Sequence, residues 1–499
     1  MSEMDEMKSE GPTENPAELV SEGRAVSRRD FLKMAGIAGA TVGVGAGLSG
    51  ILAACGGAEE TTTTTAGATT TTAGATTTTA GATTTVSAGP ETGREIKIGF
   101  VDPLTGGIAA FGIPGQYCAE RWREVAGDGM VFGDGKQHPV NIVVKDSQSD
   151  GSRAAQVAGD LITQDKVDII FAAATPDTVN PVADQAEALQ CPCISTDCPM
   201  EPYYFGRGAT PDKPFKWTYH MFWGLTELVG SSMNLWAQVE TNKKVGAIWP
   251  NDPDGNAFRP GYKTAAEPLG YTIIDAGSFQ TGTEDFTFAI SEFKKAGCEI
   301  LTGVPIPPDF TNFWKQAIQQ GWQPKLVDIA KPALFPSAME AIGQVALGIG
   351  GPSWWHPTYP FKSSLTGETC QEIALDFEKR TEQQWQQPLL HYIMFEAAVD
   401  VLKRTKNLDD KEEIIANVAT IKLADSIGGP IDFTAPVKMG TLHPVPNVVG
   451  TPHFAGQWMK GTQNPWDIKA WQFDLIPRNN IFAPTLTVTG PYVPMPITS

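Results

Sequence analysis

The densest set of reactive side chains is Cys191-Pro-Cys193 followed by Cys198. Three thiols so close would suit zinc only with a fourth ligand at regular spacing. No histidine lies near them, and His138, His220, His356, His391, His443 and His453 form no H-x3-H pair. A metal site is therefore not expected, and a disulfide among Cys191, Cys193 and Cys198 is the competing use of these thiols. Neither G-x-S-x-G nor H-E-x-x-H occurs, so no nucleophile–base or zinc–base constellation is apparent. No cofactor motif stands out either. The residues able to contact a ligand are instead scattered acids, hydroxyls and indoles. They include Asp177, Asp197 and Asp254, which favour a cationic or hydroxyl-rich partner if they meet in one cleft. Trp223 and Trp354 offer indole faces for aromatic, aliphatic or cationic groups.

The elements that must position these residues alternate in type. Ile96–Val101 reads as a short apolar strand and Gly115–Val125 as a helix. Val140–Lys145 alternates as a strand does. Ser152–Lys166 carries Ala155, Val157, Ala158, Leu161 and Ile162 on one face behind a serine cap. Val167–Ala174 is a continuous apolar run, expected of a strand buried on both faces. A helix at Asp177–Leu189 and a strand at Pro192–Ser195 follow. A second series has helices at Leu225–Val239, Asp285–Lys295 and Asp309–Gln320. Its strands are Lys244–Trp249, Tyr271–Asp275, Glu299–Val304 and Lys325–Ile329. This pattern predicts two α/β lobes with parallel sheets covered on both faces. Ligands of open α/β sheets collect at the carboxyl ends of strands. That points to the loops Pro103–Gly112, Thr175–Thr178, Ser195–Pro199, Pro250–Asn256 and Pro305–Asp309.

The lobes are preceded by a leader. Ser27-Arg28-Arg29-Asp30-Phe31-Leu32-Lys33 looks like a twin-arginine export signal. An uncharged Gly/Ala-rich run from Met34 ends in Leu52-Ala53-Ala54-Cys55, which resembles the lipobox of bacterial lipoproteins. Residues 1–54 are then a signal peptide, and the thiol of Cys55 accepts a lipid that holds the chain at a membrane. The alternative is a retained N-terminal anchor. Residues 55–93 hold the lipidated cysteine and a tether in which a TTTTAGA unit recurs. No position of that repeat can build a core, so it is expected to be disordered. Its threonines are candidates for O-glycosylation.

About 400 residues remain beyond the tether, enough for two or three domains. With 37 Lys+Arg against 56 Asp+Glu, the formal charge of −19 argues against a nucleic-acid partner and against electrostatic adhesion to anionic lipid.

Lys97-Ile98-Gly99-Phe100-Val101-Asp102-Pro103-Leu104-Thr105-Gly106, with Phe111-Gly112, closely resembles the opening of the periplasmic leucine/isoleucine/valine-binding protein family. Ile248-Trp249-Pro250-Asn251-Asp252, Thr283-Glu284-Asp285-Phe286 and the stretch from Asp309 through Lys315-Gln316-Ala317 to Gly321 are similar to later family motifs, in family order. The resemblance covers roughly 95–475. It implies a type I periplasmic-binding fold, two doubly wound lobes joined by three crossovers. These would lie near Tyr219–Trp223, Ala330–Pro332 and Asp425–Gly429. Lobe 1 would comprise 94–220 and 331–425, and lobe 2 would comprise 221–330 and 426–499. It further implies a monomer without cofactor or enzymatic activity, which closes on a small solute and delivers it to an ABC permease. A sensory receptor of the same fold is the alternative, and an extracytoplasmic hydrolase using Cys198 or an exposed acid is a distant third.

Carrying the family's contacts over gives a mixed set. Thr105 lies in the first loop and Phe111 would pack on the apolar part of a ligand. Thr175 and Thr178 match hydroxyls that bind a carboxylate at a helix start, but Asp177 stands between them. Ser195-Thr196-Asp197-Cys198 replaces a small neutral run. Asp254-Gly255 replaces an aromatic, as does Ile306 in the following loop. Ala330-Lys331-Pro332 stands where the acid that holds an ammonium is expected, so Lys331 departs most sharply from the amino-acid clamp. Trp223 and Trp354 would line the cleft instead.

Overall fold

The computed structural model describes residues 89–496, apart from 436 and 440–442. The export motif, Cys55 and the threonine-rich tract lie outside the described residues. Within them are two extended sheets. The first has six parallel strands in the order Val448–Val449, Thr218–Met221, Cys193–Thr196, Ile169–Ala172, Ile96–Asp102, Val140–Asp146. The second has seven. Five are parallel, in the order Thr272–Phe279, Lys244–Pro250, Ile300–Gly303, Leu326–Ile329, Gly350–Ser353. His453–Lys460 and Phe473–Phe482 extend that sheet antiparallel.

The local rules explain most elements. The helix Gly151–Thr163 buries Ala154, Val157, Ala158, Leu161 and Ile162 on one face. Its cap is Asp150 rather than Ser152: the carboxylate accepts from the Arg153 N–H at 2.7 Å. In the first lobe Trp122 is fully buried among Phe100, Phe171 and Phe395, with ring centroids 5.4 to 5.8 Å away. In the second, Phe293, Phe313 and Trp322 form an equivalent cluster.

The chain passes between sheets at 222–224, between Ser353 and the helix Cys370–Thr381, and at 450–452. Only the first of these coincides with the expected crossovers. The boundary expected at 331 fails because Gly350–Ser353 adds another strand to the second sheet. The one at 426 fails because Val448–Val449 still pairs with the first. Gly350-Gly351-Pro352-Ser353 has no apolar side chain but a proline, which does not advertise a strand. The glycines are required instead because a Cβ at Gly351 would collide with the Ile329 carbonyl.

The candidate disulfide among the three neighbouring cysteines is not formed. Cys191, Cys193 and Cys198 are free and buried, as are Cys118, Cys298 and Cys370. Each behaves as a small apolar core residue, and burial pushes the thiol of Cys191 up to about 11. These six thiols should therefore resist Ellman's reagent in the native protein and all react in guanidinium chloride. Native-state labelling of any pair at a rate matching free thiol would contradict this arrangement.

Asp328 sits in the middle of the second sheet, almost fully buried, accepting from the Trp236 indole N–H at 2.8 Å. Burial pushes its carboxyl from 3.8 to about 6. Protonated Asp328 therefore favours the fold at low pH, and that contribution is lost as pH rises through 6. Asp328→Asn keeps an acceptor for the indole and removes the buried charge. It should stabilise the protein by roughly 1–3 kcal/mol at pH 8 and by little at pH 4, read from denaturant melts.

Candidate functional site

A narrow cavity of about 30 Å³ lies between the sheets. Its lining comes from the carboxyl ends of strands in both lobes, where open sheets bind ligands. Ala174 and Thr175 follow the strand Ile169–Ala172, Asp197 and Pro199 follow Cys193–Thr196, and Phe222 and Trp223 follow Thr218–Met221. From the other lobe come Asp254 and Phe258, Val304, then Ala330, Lys331 and Leu334. Pro352 and Trp354 complete it, with Phe111 from the first loop. Ala174, Asp197 and Lys331 all have positive φ, at 104°, 61° and 60°. Left-handed backbone at non-glycine residues carries strain, and here it gathers around one void.

The electrostatics centre on Lys331, whose side chain is only 7 % exposed. Its Nζ lies 3.1 Å from Asp252 Oδ2 and 2.9 Å from Asp254 Oδ2. Burial works against its charge, but Asp252, Asp254 and, from the other lobe, Asp177 outweigh it and hold the ammonium above the usual lysine range. Burial likewise pushes Asp254 to about 6, against the pull of Lys331 and with help from Asp252 and Asp177. Both members of the pair are thus charged at neutral pH. Asp254 Oδ1 has no partner, and neither do the indole N–H groups of Trp223 and Trp354.

On the opposite wall Asp197 Oδ2 lies 2.7 Å from His391 Nε2, with both side chains fully buried. Burial opposes the imidazolium, yet Asp197 and then Asp102 hold His391 above its usual value. The carboxyl of Asp102, sealed beneath Gly115 without a hydrogen-bond partner, is pushed up to about 7, chiefly by burial.

The aromatic wall is held from the first lobe. Gln387 Oε1 accepts from the backbone N–H groups of Trp354 and Trp355, at 2.9 and 2.8 Å. The Trp223 and Trp354 rings stand 5.7 Å apart, with Phe222 5.0 Å from Trp354. Phe111 meets Phe335 edge to face at 4.9 Å across the cleft. The lobes are therefore in contact beside the void.

Of the residues singled out from sequence, Phe111, Thr175, Asp197, Trp223, Asp254, Lys331 and Trp354 line this void. Thr105 does not: it is exposed and its hydroxyl is bound to Asp146 at 2.6 Å. Thr178 bonds back to the Thr175 carbonyl, and Ser195 lies 2.8 Å from His220 Nδ1, behind the wall. Asp177 stands beside the void and acts through its charge. Sequence reasoning missed Phe222, Phe258, Asp252, His391 and Gln387. Phe222 adjoins Trp223 at a crossover and could have been found there, whereas His391 and Gln387 carry no local signal.

The family model described as "Periplasmic binding protein" matches residues 95–445. The chain belongs to that family. Its members are extracytoplasmic solute-binding proteins and not enzymes, and no described helix is long and apolar enough to cross a membrane. The leucine-binding protein LivK of Thermotoga maritima is similar in structure, with a TM-score of 0.58 and 17 % identity, over 76 % of this chain and 98 % of that one. The branched-chain amino acid transporter substrate-binding protein LivJ of Streptococcus pneumoniae, solved with isoleucine, gives 0.58 and 18 %, over 77 % and 99 %. An ABC transporter solute-binding protein of Rhodopseudomonas palustris, solved with 3,4-dihydroxybenzoic acid, gives 0.59 and 17 %, over 76 % and 97 %. The shared architecture is the type I periplasmic-binding fold, used by substrate-binding proteins of ABC transporters.

Lys331→Met would leave Asp252, Asp254 and Asp177 crowded without their cation. It should cost about 3–5 kcal/mol at pH 8. The loss should shrink by pH 5, as Asp254, pushed higher still once Lys331 no longer lowers it, takes up a proton. A cost independent of pH in urea melts would show that Lys331 does not balance these acids.

Proposed function

We propose that the chain is an extracytoplasmic lipoprotein that captures a small solute between its lobes and delivers it to an ABC permease. The solute is an amino acid or a related compound with an aromatic or aliphatic body. The observation that carries this reading is the void itself: it sits at the strand ends of both sheets, and its walls are largely aromatic and aliphatic. Opening requires the lobes to part at Phe111–Phe335 and around Lys331, and closing returns the solute to a water-poor space. Similar proteins hold isoleucine and 3,4-dihydroxybenzoic acid, both compact solutes with an apolar portion. A lipid on Cys55 would keep the binding lobes near the permease and raise their local concentration there without fixing their orientation.

A thermal-shift screen across amino acids, aromatic acids, amides, amines, polyamines and sugars tests the reading. A true solute at 100 times its Kd should add about 2.7 kcal/mol of stability. Trp354→Ala should weaken that solute at least tenfold while the protein stays folded. A screen in which no solute stabilises the protein would overturn it. In an expressing cell, Cys55→Ala should abolish incorporation of labelled fatty acid.

A further inference from the structure

We propose that the solute is an organic amine, bound as its ammonium at Asp254 with its apolar body against Trp223 and Trp354, and that the site rejects carboxylates. This rests on the solute-binding reading above and narrows its solute to the carboxylate-free relatives of amino acids.

The charges around the void do not balance. Lys331 is the only lysine or arginine in its lining, and Asp252 and Asp254 already engage its ammonium. A third acid, Asp177, acts on the same ammonium. On the far wall the charge of Asp197 is met by His391. One cation thus faces three carboxyls, which leaves the site electronegative. An incoming carboxylate would add to the excess, whereas an ammonium would relieve it.

The place where an anion would otherwise dock is closed to one. The helix Pro176–Ala188 starts beside the void, but Pro176 has no N–H to offer. The N–H groups of Thr178 and Val179 both donate to the Thr175 carbonyl, at 3.0 and 2.8 Å. Asp177 then places an acid in the same first turn. Little of the usual donor set at a helix start remains.

The unmet groups complement an amine. Asp254 is 2 % exposed and its Oδ1 lacks a partner, although a buried carboxylate oxygen ordinarily has one. An ammonium supplies it. The rings of Trp223, Trp354 and Phe222 lie in the same lining, as suits a cation with an aromatic or aliphatic body. The two unpartnered indole N–H groups can serve one neutral acceptor, such as a phenol or carbonyl oxygen.

Four compounds that share one hydroxyphenyl skeleton separate the possibilities: tyramine, tyrosine, 4-hydroxyphenylacetate and the neutral alcohol tyrosol. By titration calorimetry on the parent protein at pH 7.5, tyramine should bind at least tenfold tighter than tyrosine or tyrosol. The acid should not bind. Asp254→Asn should abolish the preference for tyramine over tyrosol. Equal or tighter binding of tyrosine, the acid or tyrosol by the parent overturns the assignment and leaves the solute-binding reading standing. If all four are silent, the broad screen decides. A carboxylate-free amine as its best solute supports the assignment, and a solute of any other class overturns it. A screen with no binder removes the solute-binding reading itself.

Discussion

A buried ammonium holds this cleft together. Lys331 emerges from the end of a central strand in a left-handed conformation, with its Nζ among acids from two directions. Asp252 and Asp254 belong to its own lobe and Asp177 to the other. Charges taken out of water are costly unless matched, so the position of the first lobe is coupled to that of the second through this group. Asp252 also caps the helix Pro253–Ala266, accepting from the Gly255 N–H at 2.7 Å. One carboxylate therefore starts a helix and anchors the lysine, which ties the local fold to the cleft's charge.

Around that charged centre the walls are largely apolar. Trp223 lies at a crossover and Trp354 follows the last parallel strand, so both stand where the chain passes between lobes. The crossovers are bonded to one another. The Phe222 N–H of the first donates to the Val449 carbonyl at the edge of the third, at 3.0 Å, and the first lobe steadies the second through Ile427 O, which accepts from the Trp355 indole N–H at 3.1 Å. His453, just past the third crossing, packs against Trp223 at 4.8 Å. On the proposed reading, a hinge built this way would move the aromatic wall and the lobes together and so link closure to contact with the solute.

The order of strands and helices was legible because period and composition are local properties. The strand beginning at Ile96, the helix over 151–163 and the run ending near Ala172 are all close to where hydrophobic pattern places them. Gly350–Ser353 was not legible, since its strand character comes from neighbours that forbid a side chain. The two-residue strand Val448–Val449 is too short for any periodic signal. These two elements moved two of the three crossovers. The cysteines illustrate the same limit: close spacing in sequence suggested a covalent link, but buried apolar surroundings account for them without one.

By itself the sequence determined the alternation of elements, the family and the strand-end loops from which a site had to come, since each is written in residues near one another along the chain. It could not decide the charge of that site. Asp254 and Lys331 are remote in sequence, as are Asp197 and His391, yet each pair is buried in contact. Whether an acid is free to hold a ligand or is already neutralised depends on distances of a few ångströms across the fold. Coulomb energy and desolvation both act over that range, and only the packed tertiary structure sets it.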